Sequence, residues 1–158
     1  MRKVAELKGR DLDRAVAAVL GKKGLDEFDL GAMGRGQLES LLVRAEIDPE
    51  DHWGSEEMRE ALICHPCPQF PLYSSDWASG GPVKEVFAIA TRKHSGGTWY
   101  AMRSQELGDG ERAQWCEFSW KSSSVNKQRV RFTGATELEA AMRCVVGHHF
   151  GETVDLSD

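Results

Sequence analysis

The chain has 158 residues, of which 41% are hydrophobic and 28% are charged, and its formal net charge is −5. This length and apolar content fit a single domain with one ordinary core, and the acidic balance disfavours sequence-independent binding to duplex nucleic acid. No apolar run approaches the roughly 20 residues of a membrane span, and the charged start, Met1-Arg2-Lys3, is unlike a signal peptide. We therefore expect a cytoplasmic protein without a membrane partner, whose four cysteines stay reduced.

The first part of the chain predicts helices. Residues 9–20 place their larger apolar side chains on one face at helical spacing, namely Leu12, Val16, Val19 and Leu20. Residues 22–36 are rich in glycine and charge and predict a partly ordered connection. A helix over Gln37–Ala45 and a second one capped by Ser55 should follow, with Pro49 preventing a continuous helix between them.

These two helices form a helical insert at about residues 36–63, and its surface is strongly acidic. The acidic residues of this segment are Glu46, Asp48, Glu50, Asp51, Glu56, Glu57 and Glu60, against Arg59 alone. Residues 121–131 carry the opposite charge, with Lys121, Lys127, Arg129 and Arg131 and no acid. Such polarised charge suits a small anionic ligand or a charge-matched protein better than a DNA track, although solvated faces use the same residues.

The stretch Tyr73–Pro82, which we call the signature segment, follows a proline-rich connector and concentrates several useful groups. Its candidate ligand-binding residues are Tyr73, Ser74, Ser75, Asp76, Trp77, Gly80, Gly81 and Pro82. They predict a tight turn in which the two glycines take positive φ and offer free N–H groups to an anion, while the proline fixes the exit. The indole would supply a flat apolar face and the carboxylate a hydrogen-bond acceptor. A purely structural turn uses the same residue types.

Beyond the signature segment the apolar pattern changes to a period of two. The predicted strands are Val86–Lys93, Thr98–Arg103, Ala113–Trp120 and Gln128–Phe132. Thr136 and Glu139 form a capping box for a closing helix that ends near Gly151. The expected fold is one α+β domain over residues 1–158. An antiparallel meander of about four strands is packed by the N- and C-terminal helices, with the acidic helical pair inserted between them.

The sequence offers no positive case for catalysis. No Ser/His/Asp order, Walker loop or Gly-x-Gly-x-x-Gly after a strand occurs in it. Cys64 and Cys67 have the spacing of half a zinc knuckle, but no second Cys-x-x-Cys exists. His148 and His149 fit the C-terminal end of a helix without any further role. We therefore expect no enzyme activity, no metal and no cofactor.

Three stretches resemble the NinX-like bacteriophage proteins, a phage family of unassigned function. The stretch from Glu6 to Val16 is similar to the family's opening helix, the signature segment to its Ser/Thr-Asp-Trp-x-x-Gly-Gly-Pro motif, and residues 133–155 to its closing helix and tail. The resemblance departs at Arg14, where family members often carry tryptophan, and does not extend over residues 22–71. It implies a phage origin, and it favours a ligand site over a plain turn at the signature segment.

The resulting hypothesis is a non-catalytic phage protein that binds a small anionic ligand, most plausibly a nucleotide. Trp77 would stack on a base, Asp76 would accept from ribose or base, and the glycine N–H groups would bind phosphate. Arg129, Arg131 and Arg143 would supply countercharge. Sequestering a host defence signalling nucleotide, in the manner of a sponge, is a concrete use for such a binder.

Two alternatives come from other classes of protein. An adaptor or inhibitor would dock on a host or phage protein through its acidic segment, Glu46–Glu60. A nucleotide hydrolase has the least support, because no base or nucleophile can be assigned to it. Assembly into a homo-oligomer stays open.

Overall fold

The computed structural model of the protein describes residues 1–103 and 132–156. Within these ranges the helices are α1 (Gly9–Val19), α2 (Glu27–Gly31), α3 (Arg35–Arg44), α4 (Ser55–Ile63), α5 (Trp77–Val86) and α6 (Glu137–Phe150). The strands are β1 (Arg2–Lys3), β2 (Ile89–Lys93), β3 (Trp99–Arg103), β4 (Phe132–Gly134) and β5 (Thr153–Val154). Helices and antiparallel strands are thus combined, and the predicted α+β class is confirmed.

Two antiparallel sheets are formed by the described strands. The larger has the order β2-β3-β4, with Ala101 of β3 paired to Thr91 on one side and to Phe132 on the other. The smaller pairs β1 with β5, and places Arg2 opposite Val154. Burial alternates along β4, where Phe132 and Gly134 are buried and Thr133 is half-exposed, and Ile89 of β2 and Ala101 of β3 are also buried in the larger core.

Helix α6 is the centre of the larger core. It packs against β2, β3 and β4 and also against α1 and α5, and its buried side chains run from Leu138 to Val146. The helix starts where the Thr136 hydroxyl accepts a hydrogen bond from the Glu139 N–H at 3.1 Å, and it ends at Gly151, whose φ of 85° lies in the left-handed region. Both ends agree with the sequence prediction.

Helices α2, α3 and α4 enclose a second, separate core. Its buried residues are Leu30, Leu38, Leu41, Leu42, Ala45, Met58 and Leu62. We call residues 26–63 the helical lobe. The main lobe comprises α1, α5, α6 and the two sheets. The helical lobe begins earlier than the predicted insert, because Leu30 of α2 belongs to the same cluster.

The structure confirms several predicted elements and corrects others. Helices α1, α3 and α4 and the strand β3 lie where the periodicity places them. The predicted Ser55 cap is wrong, because Gly54 is the N-cap of α4 and its N–H donates to the Glu57 carboxylate. The predicted strand Val86–Lys93 begins only at Ile89, because Val86 is the last residue of α5. The predicted connection over residues 22–36 contains the short helix α2, whose N-cap Asp26 accepts from the Asp29 N–H at 2.9 Å. The predicted strand Ala113–Trp120 and residues 128–131 of the predicted strand Gln128–Phe132 lie outside the described residues, and Phe132 begins β4. The number of strands in the meander stays a prediction.

Candidate functional site

The signature segment is a short turn followed by a helix, and the prediction of one tight glycine turn is wrong. Helix α5 begins at Trp77, and the Asp76 carboxylate caps it by accepting from the Ala78 N–H at 3.2 Å and from the Ser79 hydroxyl at 3.0 Å. Neither Gly80 nor Gly81 has a positive φ. A strong N-cap therefore outweighs the low helix propensity of a Gly-Gly-Pro sequence.

The expected role of the glycine N–H groups changes with this correction. The Gly80 N–H donates to the Asp76 carbonyl at 2.8 Å, and Gly81 lies inside the helix, so neither N–H projects from a loop toward a ligand. Pro82 also lies inside the helix and has no N–H to donate to the Ala78 carbonyl. The anion cradle expected from the sequence is therefore not formed by these backbone groups.

Gly80 is required at its position by close packing. It is buried, and a Cβ built on it would lie 2.1 Å from the Tyr73 carbonyl oxygen and 3.0 Å from Leu138 Cδ2. Tyr73 itself is 4% exposed. Only a residue without a side chain allows the start of α5 to fold back onto the turn that precedes it.

The serines of the segment hold the turn to the rest of the protein. The Ser74 N–H donates to Asp13 Oδ1 at 2.7 Å, and the Ser75 hydroxyl receives a hydrogen bond from Arg44 Nη2 at 2.7 Å. Arg44 Nη1 donates in turn to Asp13 Oδ2 at 2.5 Å. Asp13 and Arg44 thus bind the signature segment to α1 and to α3.

Sequence reasoning missed Asp13 and Arg44. Asp13 is 1% exposed, and burial raises the pKa of its carboxyl although the hydrogen bonds from Ser74 and the charge of Arg44 act in the opposite direction. The sequence held one sign of this role. Val16 and Ala17 follow Asp13 by three and four positions on α1, so the three residues share one helix face, and both apolar residues are fully buried. A carboxylate on an apolar helix face requires a partner.

A groove of about 430 Å³ lies beside the start of α5. Its lining residues are Trp77, Gly81, Pro82, Lys84, Glu85, Ala88 and Ile89. Trp77 is 53% exposed, so it is not part of the core, and the Lys84 ammonium lies 5.6 Å from the centre of its ring. That distance is within the range of a cation–π interaction. We call this the tryptophan groove.

Lys84 is held over the indole by a hydrogen-bond network. Glu137 Oε1 accepts from Lys84 Nζ and from the Thr91 hydroxyl, both at 2.5 Å. Partial burial tends to raise the pKa of Glu137, but these two hydrogen bonds and the charge of Lys84 outweigh it, so the pKa is lowered. Glu137 is the first residue of α6, where the helix dipole also favours a negative charge.

A second groove of about 560 Å³ lies between the lobes. Its lining residues are Gly36, Gln37, Glu39, Ser40, Val43, Arg44, Leu72, Ser75 and Asp76. We call it the inter-lobe groove. The signature segment is therefore divided: Ser75 and Asp76 line one groove, and Trp77, Gly81 and Pro82 line the other.

Arg143, one of the three arginines expected to supply countercharge, does not line either groove. Arg143 is 8% exposed, and its guanidinium donates to the Leu7 carbonyl at 2.8 Å and to the Thr133 carbonyl at 2.6 Å. A further nitrogen pairs with Glu139 at 2.5 Å. Arg143 therefore joins Leu7, near the start of the chain, to β4 and α6. Arg129 and Arg131 lie outside the described residues.

Other candidate groups remain on the surface. Cys64 and Cys67 are exposed, and within residues 1–103 and 132–156 no group of three or more His, Cys, Asp and Glu side chains is placed to hold a metal ion. The seven acidic residues between Glu46 and Glu60 are all exposed. None of the helices in the described ranges combines the length and apolar character that a membrane crossing requires.

Neither a scan against protein-family models nor a search among curated proteins returned a match for this chain. The resemblance to NinX-like phage proteins thus depends on the quoted motifs alone. It stays a hypothesis about origin, and the site must be argued from its own geometry.

Proposed function

We propose that the protein is a non-catalytic binding protein whose tryptophan groove takes a small planar anion, most plausibly a nucleotide. The observation that carries this proposal is the exposed indole of Trp77 with the Lys84 ammonium 5.6 Å from its ring centre. An aromatic face beside a fixed cation is the arrangement that recognises a base and a phosphate together.

The size and chemistry of the groove support this ligand class. A volume of about 430 Å³ falls within the range of ligand pockets. The Lys84 ammonium donates one hydrogen bond to Glu137 at 2.5 Å. An ammonium has three N–H donors, so others can bind a phosphate. In this proposal Lys84 takes the countercharge role that the sequence assigned to arginines, and the exposed face of Trp77 stacks on the base.

The biological setting extends the proposal. The NinX-like resemblance would place the protein in the cytoplasm of an infected bacterium, where a binder without catalytic groups would lower the concentration of its ligand. A host defence signalling nucleotide is a target for which such sequestration would be useful to a phage. Binding of this kind requires no turnover.

Ligand identity can be tested directly. Native mass spectrometry of protein purified from its expression host should show a retained ligand of nucleotide mass, and would also report the assembly state. Calorimetric titration with ADP-ribose, a cyclic dinucleotide and adenosine monophosphate should then give a micromolar or tighter dissociation constant for at least one of them. Absence of a retained ligand together with no heat from any of the three would contradict the proposal.

The same titration has a matched control on helix α5. Trp77→Ala should abolish binding, whereas Val86→Ala removes another exposed apolar side chain, 80% exposed, from the far end of the same helix. Val86 does not line the tryptophan groove, so its variant should bind as the wild type does. Equal losses in the two variants would assign the effect to a general change of α5.

A second candidate function, a protein-binding adaptor, is favoured by a separate observation. All acidic side chains of the Glu46–Glu60 segment are exposed, and Val43 on the same lobe is 73% exposed. Exposed carboxylates suit a basic protein surface, and an exposed apolar side chain on the same lobe adds area that a partner can bury. Reversing Glu56 and Glu60 to lysine should abolish cross-linking to such a partner in infected cells, and Trp77→Ala should not. The opposite pattern would favour the ligand-binding function.

A further inference from the structure

The two lobes have separate hydrophobic cores and few connections. Helices α2, α3 and α4 pack on one another, and none of them packs broadly on α1, α5 or α6. The buried clusters of the two lobes share no residue. Regions that close their own cores can move or open as separate units.

The two chain segments that join the lobes run side by side. The first connector is residues 20–25 and the second is residues 64–72. The Leu25 N–H donates to the Gln69 carbonyl at 2.6 Å, and a Cβ built on Gly24 would lie 2.8 Å from Pro68 Cβ. Connectors paired in this way define one hinge line instead of two independent tethers.

Arg44 makes polar contacts between the lobes away from this hinge. Its guanidinium lies between Asp13 of α1, at 2.5 Å, and the Ser75 hydroxyl, at 2.7 Å. The Asp13 side chain is 2% exposed and that of Arg44 is 21% exposed, so the guanidinium is the member of the pair that solvent reaches. The inter-lobe groove lies directly beside this contact and includes Arg44 and Ser75 in its lining.

We propose that the helical lobe is a lid that swings about the paired connectors and is latched shut by the Arg44 guanidinium between Asp13 and Ser75. Each core is complete within its own lobe, so opening the latch leaves both lobes folded. Opening widens the inter-lobe groove and exposes the Ser74 N–H and its acceptor, Asp13, to water. The lid works independently of ligand binding in the tryptophan groove, because the two grooves share no lining residue.

Hydrogen exchange at the Ser74 amide tests the latch. This amide donates to Asp13 under the guanidinium, so Arg44→Gln should accelerate its exchange in the full chain by roughly tenfold to hundredfold, the range expected for hydrogen bonds to a charged group. Amides inside α4 and α6 have their partners within one lobe and should keep wild-type rates. Unchanged exchange at Ser74 would overturn the latch, and equal acceleration in α4 and α6 would overturn the separate opening of the lobes.

Two further variants make the result specific. Arg35→Gln removes another arginine of α3, whose recorded partner is Glu39 of the same helix at 2.8 Å, and it should leave Ser74 exchange unchanged. Ser75→Ala keeps the Asp13 ion pair and removes one guanidinium partner, so it should accelerate Ser74 exchange by a smaller factor, roughly threefold to tenfold. This milder variant carries the test if Arg44→Gln does not fold. Acceleration by Arg35→Gln equal to that by Ser75→Ala would also overturn the proposal.

Discussion

Ser74 and Trp77 stand close together in the signature segment, yet the fold uses them in opposite ways. Ser74 is 6% exposed and its N–H is bonded to a buried carboxylate, whereas Trp77 is 53% exposed and lines a groove. Tyr73 and Ser74 are therefore packed into the main lobe and Ser75 contacts Arg44 of the helical lobe, whereas Trp77 presents its indole at the surface. The segment thus combines groups that are bonded into the fold with one exposed side chain, Trp77, that the proposed ligand would contact.

The comparison predicts that the two adjacent glycines respond differently to substitution, and this is the largest stability difference we expect. Gly80→Ala should lower the free energy of unfolding by about 3 kcal/mol, because its methyl group would collide with the Tyr73 carbonyl. Gly81→Ala places a methyl group at an ordinary 3.4 Å from Trp77 Cε3. Its gain in helix propensity is offset in part because Pro82 follows and disfavours helical geometry for a residue with a Cβ, so the free energy of unfolding should change by less than about 1 kcal/mol. Urea unfolding measures both, and equal effects would contradict the packing role of Gly80.

Two aspartates on α1 provide the next largest contrast. Asp13→Ala removes the acceptor of the Ser74 N–H and the partner of Arg44, and should destabilise the fold by about 2 kcal/mol. Asp11→Ala removes an exposed carboxylate that pairs with Arg2 and should change the free energy of unfolding by less than about 0.5 kcal/mol. Thermal or urea unfolding of the pair measures this difference, and a larger loss from Asp11 would refute the bridging role of Asp13.

Glu137 beside the tryptophan groove and Asp13 beneath Ser74 should contribute to stability with opposite pH dependence. The pKa of Glu137 is lowered from 4.5, so its contribution is present above that pH and is lost as pH falls through the folded pKa. The pKa of Asp13 is raised from 3.8, so the folded state binds its proton more tightly, and this group's contribution falls as pH rises from 3.8 through the folded pKa. Relative to Glu137→Gln the wild type should therefore gain stability with rising pH, and relative to Asp13→Asn it should lose stability. Unfolding curves of both variants at several acid pH values check the two signs.

The smallest stability effect should come from the tryptophan groove itself. Trp77→Ala removes a side chain outside both buried clusters, and we expect the free energy of unfolding to stay within about 0.5 kcal/mol of the wild type. A loss comparable to that from Gly80→Ala would show that Trp77 serves the fold. Chemical unfolding of the purified variant is sufficient to decide this.

The sequence predicted those parts of the fold that depend on local patterns. Periodicity located α1, α3 and α4, and the Thr136 cap and Gly151 located the ends of α6. The strand β3 followed from its period of two. These features depend on neighbours within a few residues, which is the range that a pattern can report.

The same reasoning failed in two ways. Gly80 and Gly81 indicated a turn although the neighbouring Asp76 caps a helix there, so the low helix propensity of glycine was given too much weight. The link from Asp13 to Ser74 joins residues that are 61 positions apart. No local pattern reports such a separation, so a buried carboxylate on an apolar helix face was the only available sign.

For the candidate site, residue type alone shows what an indole can offer. Trp77 was interpreted as a base-stacking side chain; the structure leaves it 53% exposed, and the stacking stays a prediction. The countercharge was assigned to Arg129, Arg131 and Arg143. Of these Arg143 is buried and bonded to the Leu7 and Thr133 carbonyls, the other two lie outside the described residues, and Lys84 was overlooked. The position of Lys84 depends on Glu137, which lies 53 positions away in sequence.

The most direct test of this account is a calorimetric titration of Trp77→Ala and Ser75→Ala with the nucleotide that the wild type retains or binds. The account predicts that Trp77→Ala loses binding and that Ser75→Ala keeps the wild-type dissociation constant, since Ser75 lines only the inter-lobe groove. Loss of binding in Ser75→Ala with full binding in Trp77→Ala would contradict it, and would place the ligand between the lobes.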